Sequence, residues 1–272
     1  MRVVRFNGGR VGLVTGDGLV DVTELTTDSV HDWPPVGVLR LIRNFTKLSA
    51  AAASKRTGAM PLSTVRLDAP IEWPNKLLAF PVNYKAHGAE MKSANRADLN
   101  GFFLKANSSI SGPNDSIVLP DLPGREIHHE CELAVIIGVG GRNISRADAL
   151  NHVFGYSCLV DVVVRGKEER VMRKSYDTFC PIGPWIVTAD EIPDPQVLEM
   201  RLLVNGELRQ KANTRDMILD IAGMIELASR VATLFPGDVI ATGTPEGVGP
   251  INRGDTLHIA IERVGEMTLA VV

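Results

Sequence analysis

Apolar and polar positions alternate along this chain in a way that predicts many short strands and few helices. Residues 3–6, 11–15 and 19–22 are short strand candidates rich in valine and leucine. Gly8-Gly9 and Gly16-Asp17-Gly18 mark turns between them, so a small meander is predicted. Residues 36–43 and 46–55 favour helix, Ala51 to Ala53 most strongly, with Arg56-Thr57-Gly58 as the stop. Residues 76–82 read as a buried strand entering a helical turn over 83–91. The polar stretch 91–100 follows and suggests a lid. Short strands are expected at 101–106 and 117–119. The strand at 133–137 is closed by Gly138 and Gly140. A short helix over 146–150 has Ser145 as its N-cap, the apolar run 153–164 predicts one strand, and the charged run 165–173 an exposed helix. Residues 200–204 and 207–210 flank Asn205-Gly206, which supplies the two positive-φ positions of a type I′ hairpin turn. Residues 220–234 give an amphipathic helix. Ile221, Met224, Ile225, Ala228, Val231 and Leu234 form its stripe, Asp220 its cap and Pro236-Gly237 its stop. Strands at 239–242, 256–261 and 266–272 complete the chain, and no internal repeat is visible.

The first 70 residues gather no acids, histidines or nucleophiles. They read as a small structural or dimer-supporting domain, with a boundary near Pro70 to Pro74 and a main domain over 71–272. A length of 272 residues, 44% hydrophobic and 22% charged, suits an ordinary globular core. A net charge of −3 without a basic stripe argues against a nucleic-acid partner. The apolar runs are too short to span a bilayer, and the N-terminus has no signal-peptide core, so no membrane role is expected. Cys131, Cys158 and Cys180 are odd in number and lack zinc spacing, as expected of reduced thiols in a cytoplasmic protein.

The chemistry gathers around residues 126–138. Side chains on a strand repeat with period two, so Glu130 and Glu132 share a face about 7 Å apart at Cα. Two carboxylates so placed repel and are costly to desolvate, and a divalent cation removes both penalties. Asp161 lies in an apolar run where an unpaired acid is unfavourable, which makes it the natural third carboxylate. His87 and Glu90 stand side by side if their turn is helical, as general-base chemistry requires. Lys174 opens an irregular Pro-rich segment and is a candidate cation for an anionic ligand. The Gly243-Thr244-Pro245 loop exposes backbone N–H groups and a hydroxyl that suit a carboxylate. The plain alternatives are a solvated strand end, a surface His–Glu pair, an aspartate paired with Arg165, and a solvated lysine.

Taken together, these features resemble the fumarylacetoacetate hydrolase family from about residue 75 to the C-terminus. The resemblance rests on Asn83-Tyr84 with His87 and Glu90, Phe103-Leu104-Lys105, Glu130-Cys131-Glu132 and Gly155-Tyr156 with Asp161. It continues through Lys174 to Asp177, Pro181 to Trp185, Val204-Asn205-Gly206, Pro236-Gly237-Asp238 and Thr242 to Val248. It implies an α+β, β-rich fold of mixed sheets rolled into a sandwich, with a small N-terminal domain, and a homodimer. It implies Mg²⁺ or Mn²⁺ on Glu130, Glu132 and Asp161, and His87, Glu90 and Lys174 as catalytic residues. Tyr84, Lys105, Gly243 and Thr244 would contact a small oxo-acid substrate. Two departures stand out. Val160 occupies a position where the family often has Asn, and Arg165-Gly166-Lys167-Glu168 stands where it often has Arg-Asp-x-Gln.

The function expected on that basis is divalent-metal-dependent hydrolysis of a C–C bond in a 2,4-dioxo acid, an acylpyruvate or fumarylpyruvate-like compound, through a metal-bound enolate. The same intermediate also serves an oxaloacetate decarboxylase, or an isomerase, tautomerase or hydratase of an unsaturated oxo-dioate. A non-catalytic, metal-stabilised binding protein is the alternative from another class.

Overall fold

The computed structural model describes residues 1–16, 18–27, 29–31, 33–54, 59–91 and 96–272. One large mixed sheet runs, in spatial order, through Met60–Pro61, Gly18–Asp21, Arg10–Thr15, Arg2–Phe6, Cys180–Thr188, Val153–Val160, Cys131–Ile137, Val239–Ala241, Leu77–Ala79 and Phe103–Leu104. The N-terminal meander therefore continues the central sheet, with Arg2 paired to Val187 and Val3 to Ile186. Most pairs are antiparallel, but Val239–Ala241 runs parallel to Leu77–Ala79. A second sheet orders Glu207–Asn213, Glu199–Val204, Thr256–Ile261 and Gly265–Ala270. A third, of Val163–Val164, Ile127–His129 and Gly249–Pro250, takes in the residues just before Cys131–Ile137. This is the sheet-dominated α+β architecture expected.

Cys131–Ile137 is buried along its whole length because both its faces meet apolar cores. Cys131, Leu133, Val135 and Ile137 face a core shared with Met200, Leu202, Leu257 and Ile259 of the second sheet and with Met224 and Ile225. Ala134 and Ile136 face another core, which Val3, Val11, Leu13, Leu41 and Ile42 help to build. The helix Ile221–Val231 starts where predicted, with Asp220 accepting the Gly223 N–H at 2.8 Å. In the hairpin turn Asn205 and Gly206 have φ of 53° and 80°, as a type I′ turn demands.

Several elements differ from the sequence reading. The run 153–164 breaks into Val153–Val160 and Val163–Val164, and Asp161 lies in the break. The helix expected over 146–150 is instead a turn, tied by Ser145 Oγ to Asp148, followed by a 3-10 turn at Ala149–His152. Only Arg170–Lys174 of the charged run is helical. The strand expected at 117–119 is reduced to a bridge between Ile117 and Val271, a pairing with the distant C-terminus that no period-two pattern announces. The helix Phe45–Ser54 matches the second predicted helix; its expected end at Lys55 and stop at 56–58 lie outside the described residues. So does part of the expected lid, residues 92–95, which is followed by a helical turn at Ala97–Asn100.

Candidate metal and acid–base site

Antiparallel register brings the carboxylates together. Cys131 pairs with Val160, so Asp161 falls opposite Glu130, and the Asp161 N–H donates to the Glu130 carbonyl at 2.9 Å. Period two then sets Glu132 on the face of Glu130. One carboxylate oxygen from each of Glu130, Glu132 and Asp161 lies within 4.8 Å of the others, and all three residues are buried.

Two buried ammonium groups face them. Lys174 Nζ donates to Glu130 Oε2 at 2.6 Å and to Asp161 Oδ2 at 2.5 Å. Lys105 Nζ pairs with Asp161 and donates to the Phe179 carbonyl at 3.0 Å. Burial pushes against the Lys174 charge, but Asp161, Glu130 and Glu132 outweigh it and hold the lysine protonated. Burial alone would raise Asp161. Lys105 and Lys174 together outweigh it and keep this carboxyl below its usual range. Glu132 goes the other way: burial and the neighbouring Asp161 charge raise it well above the usual range, and Lys174 offsets only part of this. Three carboxylates thus face two ammoniums, which leaves Glu132 as the acid that a proton or a cation must satisfy. An all-oxygen donor set in a buried, net-negative pocket fits Mg²⁺ or Mn²⁺.

One loop, residues 243–247, links this cluster to the acid–base pair. The Gly243 N–H donates to Glu132 Oε2 at 2.8 Å. Gly243 has φ of +91°, and a Cβ there would lie 2.6 Å from the Asn83 Cβ, so glycine is required. Asn83 in turn holds the Thr242 carbonyl at 2.8 Å and the Leu219 N–H at 2.8 Å. At the far end of the loop, Gly247 N–H donates to Glu90 Oε1 at 3.0 Å. The other oxygen of Glu90 meets His87 Nδ1 at 3.1 Å, across the predicted helical turn Lys85–Glu90. His87 is buried, and the Glu90 side chain remains 33% exposed, so this pair reaches solvent where the carboxylates do not.

Three expected substrate contacts have protein partners in this structure. Tyr84 is core, its hydroxyl directed at Met200 Sδ at 3.2 Å. The ammonium of Lys105 is engaged by Asp161 and Phe179. The Gly243 N–H is engaged by Glu132, and the neighbouring Thr244 hydroxyl is buried. The departures from the family pattern also have local partners. Val160 is fully buried in the core opposite Cys131. Glu168 makes a two-pronged pair with Arg125 at 2.9 Å on both arms, and a Cβ on Gly166 would lie 1.8 Å from that guanidinium. Glycine and glutamate at these positions therefore accommodate one arginine. Residues absent from the sequence reading, Gln210 above all, also contact the loop. A polar side chain at an inward position of the hairpin was the available signal. A cavity of about 1000 Å³ lined by Arg2, Trp185, Lys211 and His258 contains none of these residues, so the site is marked by its chemistry and not by cavity size.

A sheet-dominated fold carrying three buried carboxylates beside a His–Glu pair is the setting in which the comparisons with known proteins fall. The fumarylacetoacetate (FAA) hydrolase C-terminal family model matches residues 76–272, and the chain belongs to that family. It is 43% identical to the maleylpyruvate hydrolase of Aquipseudomonas alcaligenes, over 100% of this chain and 99% of that protein. It is 36% identical to the mitochondrial oxaloacetate tautomerase Fahd2a of Rattus norvegicus, over 100% of this chain and 92% of that protein. Among solved structures, the maleylpyruvate hydrolase from Sphingobium sp. SYK-6, in complex with manganese(II) and pyruvate, superposes with a TM-score of 0.91. The two are 54% identical over 100% of this chain and 99% of that one.

Proposed function

We propose that this protein is a divalent-metal-dependent hydrolase that cleaves the C3–C4 bond of a 2,4-dioxo acid of the maleylpyruvate type, releasing pyruvate and a second acid. The observation that carries the proposal is the convergence of Glu130, Glu132 and Asp161 within 4.8 Å, charge-compensated by Lys174 and tied through Gly243 to the loop that holds Glu90. Glu130, Glu132 and Asp161 are the proposed ligands. When bound there, Mg²⁺ or Mn²⁺ supplies Lewis-acid polarisation of the 2-oxo group. Glu90, oriented by His87 and the Gly247 N–H, accepts a proton from the water that attacks the C4 carbonyl. Collapse of the tetrahedral adduct breaks the C3–C4 bond. The electron pair leaves with the pyruvate half, whose C3 then takes a proton. The Lys174 ammonium stabilises negative charge developing nearby, and the Thr244 hydroxyl holds the substrate carboxylate.

The reading also includes a cytoplasmic location, which the three buried free thiols support, and a homodimer, which rests on the family resemblance. No helix among the described residues is long and apolar enough to cross a membrane. The reading keeps residues 1–70 as a small structural N-terminal domain and 71–272 as the catalytic domain; Val3, Val11 and Leu13 of the first share a core with Ala134 and Ile136 of the second.

Incubating the Mn²⁺-loaded protein with maleylpyruvate tests the proposal. Stoichiometric pyruvate and maleate support it; absence of turnover on maleylpyruvate and on a panel of acylpyruvates contradicts it. The identity to the rat tautomerase favours one second reading, keto–enol exchange of oxaloacetate by the same Glu90–His87 pair. Product identification separates the two: loss of the oxaloacetate enol signal without pyruvate formation marks the tautomerase.

A further inference from the structure

At its centre, Thr244 and Pro245, the Gly-rich loop is held by Gln210, on the strand Glu207–Asn213. Its neighbours Arg209 and Lys211 are exposed, but Gln210 is only 1% exposed. Its amide makes four contacts. Oε1 accepts the Cys131 N–H at 2.8 Å and faces His129 Nδ1 at 3.1 Å. Nε2 donates to the Pro245 carbonyl at 2.9 Å and to Thr244 Oγ1 at 2.8 Å. A backbone N–H only donates and a carbonyl only accepts, so Cys131 and Pro245 fix which end of the amide is oxygen. The remaining hydrogen bonds follow. His129 must carry its hydrogen on Nδ1, because Oε1 cannot donate. Thr244 Oγ1 must accept from Nε2, which leaves its own hydrogen for another acceptor. Among the described residues, no protein oxygen pairs with that hydrogen.

We propose that Gln210 is a positioning residue. It fixes the Thr244 hydroxyl as a donor into the site and so sets the affinity for the substrate's carboxylate. The inference rests on the reading of Thr244 as the carboxylate-holding group given above. It adds that the hydroxyl's direction is imposed by a residue that never touches substrate. Cys131 lies between Glu130 and Glu132, so the same amide joins the carboxylate strand to the loop and keeps the two anchoring points in register. A carboxylate at position 210 reverses the polarity: as an acceptor, it draws the Thr244 hydrogen toward itself and away from ligand.

The test is pyruvate binding to Mn²⁺-loaded protein by calorimetry, with Mn²⁺ affinity measured separately by electron paramagnetic resonance. The proteins compared are wild type, Gln210→Met, Gln210→Glu, Thr244→Val and the double variant Gln210→Met/Thr244→Val. Each single variant is expected to weaken pyruvate binding by about tenfold, the scale of one hydrogen bond to a charged group. The double variant should bind no more weakly than Thr244→Val alone, and Mn²⁺ affinity should stay within about threefold of wild type. Additive losses, or wild-type pyruvate affinity in Gln210→Met, would overturn the assignment. If Gln210→Met fails to fold, the near-isosteric Gln210→Glu serves in the same cycle, with the same outcomes deciding. A wild-type protein that binds Mn²⁺ but no pyruvate overturns the reading of Thr244 itself, and this inference with it.

Discussion

The carboxylate cluster and the His87–Glu90 pair are joined by one loop, yet they are built on opposite principles. The cluster concentrates Glu130, Glu132, Asp161, Lys105 and Lys174 in the interior, where each charge is tolerable only because others oppose it. The pair sits at the margin, with Glu90 partly solvated and held by one imidazole and one backbone N–H. Changes in the cluster should therefore disturb stability and function together. Changes in the pair should disturb function alone.

The largest effect is expected at Lys174. Lys174→Met leaves Glu130 and Asp161 facing each other without their shared ammonium. It should cost about 3–5 kcal/mol of stability in chelator-treated protein and abolish turnover. Urea unfolding checks this, and an unchanged midpoint would erase the contrast between the two regions. Glu90→Gln should lower kcat by roughly 10²–10⁴ while melting temperature and Mn²⁺ affinity stay at wild-type values. A comparable fall in stability would place Glu90 with the cluster instead.

A third effect, in pH, has a definite sign. Burial and Asp161 raise the folded-state pKa of Glu132, so between its unfolded and folded values the native state binds more protons than the unfolded state. Metal-free protein should lose stability as pH rises through that window. Mn²⁺ affinity should rise across the same window, because the ion displaces the proton, and level off above it. A flat Mn²⁺ affinity over that range would contradict the raised carboxyl. The smallest effect is expected at the surface. Arg125 holds the Glu168 carboxyl down to a pKa of about 2, but this pair is solvent-screened, so Glu168→Gln should leave the melting curve unchanged. A clear destabilisation would show that the Arg165-to-Glu168 segment supports the site.

What was legible in the sequence follows from the same contrast. Period two set Glu130 and Glu132 on one face and Asp161 stood out as an acid in an apolar run, although a solvated strand end and an arginine-paired aspartate fitted the same pattern. Helical spacing set His87 and Glu90 side by side, but on spacing alone a surface pair was the plainer reading, and only the family resemblance gave them a role. Lys105 and Tyr84 were visible only as parts of a family resemblance, and their three-dimensional partners, Asp161 and Met200, lie far along the chain. Gln210 gave a faint signal, since one inward amide on a hairpin cannot reveal that it braces a loop from another sheet. The pairing of Arg2–Phe6 with Cys180–Thr188 was equally hidden, because a strand's own pattern names its faces but not its neighbour.

The most direct test of the cluster is a Mn²⁺ titration of chelator-stripped protein, read by electron paramagnetic resonance, for wild type, Asp161→Asn and Glu132→Gln, with far-ultraviolet circular dichroism to confirm folding. One ion per chain is expected in wild type, with affinity lowered at least tenfold in both folded variants. Wild-type stoichiometry and affinity in either folded variant would show that the ion is held elsewhere.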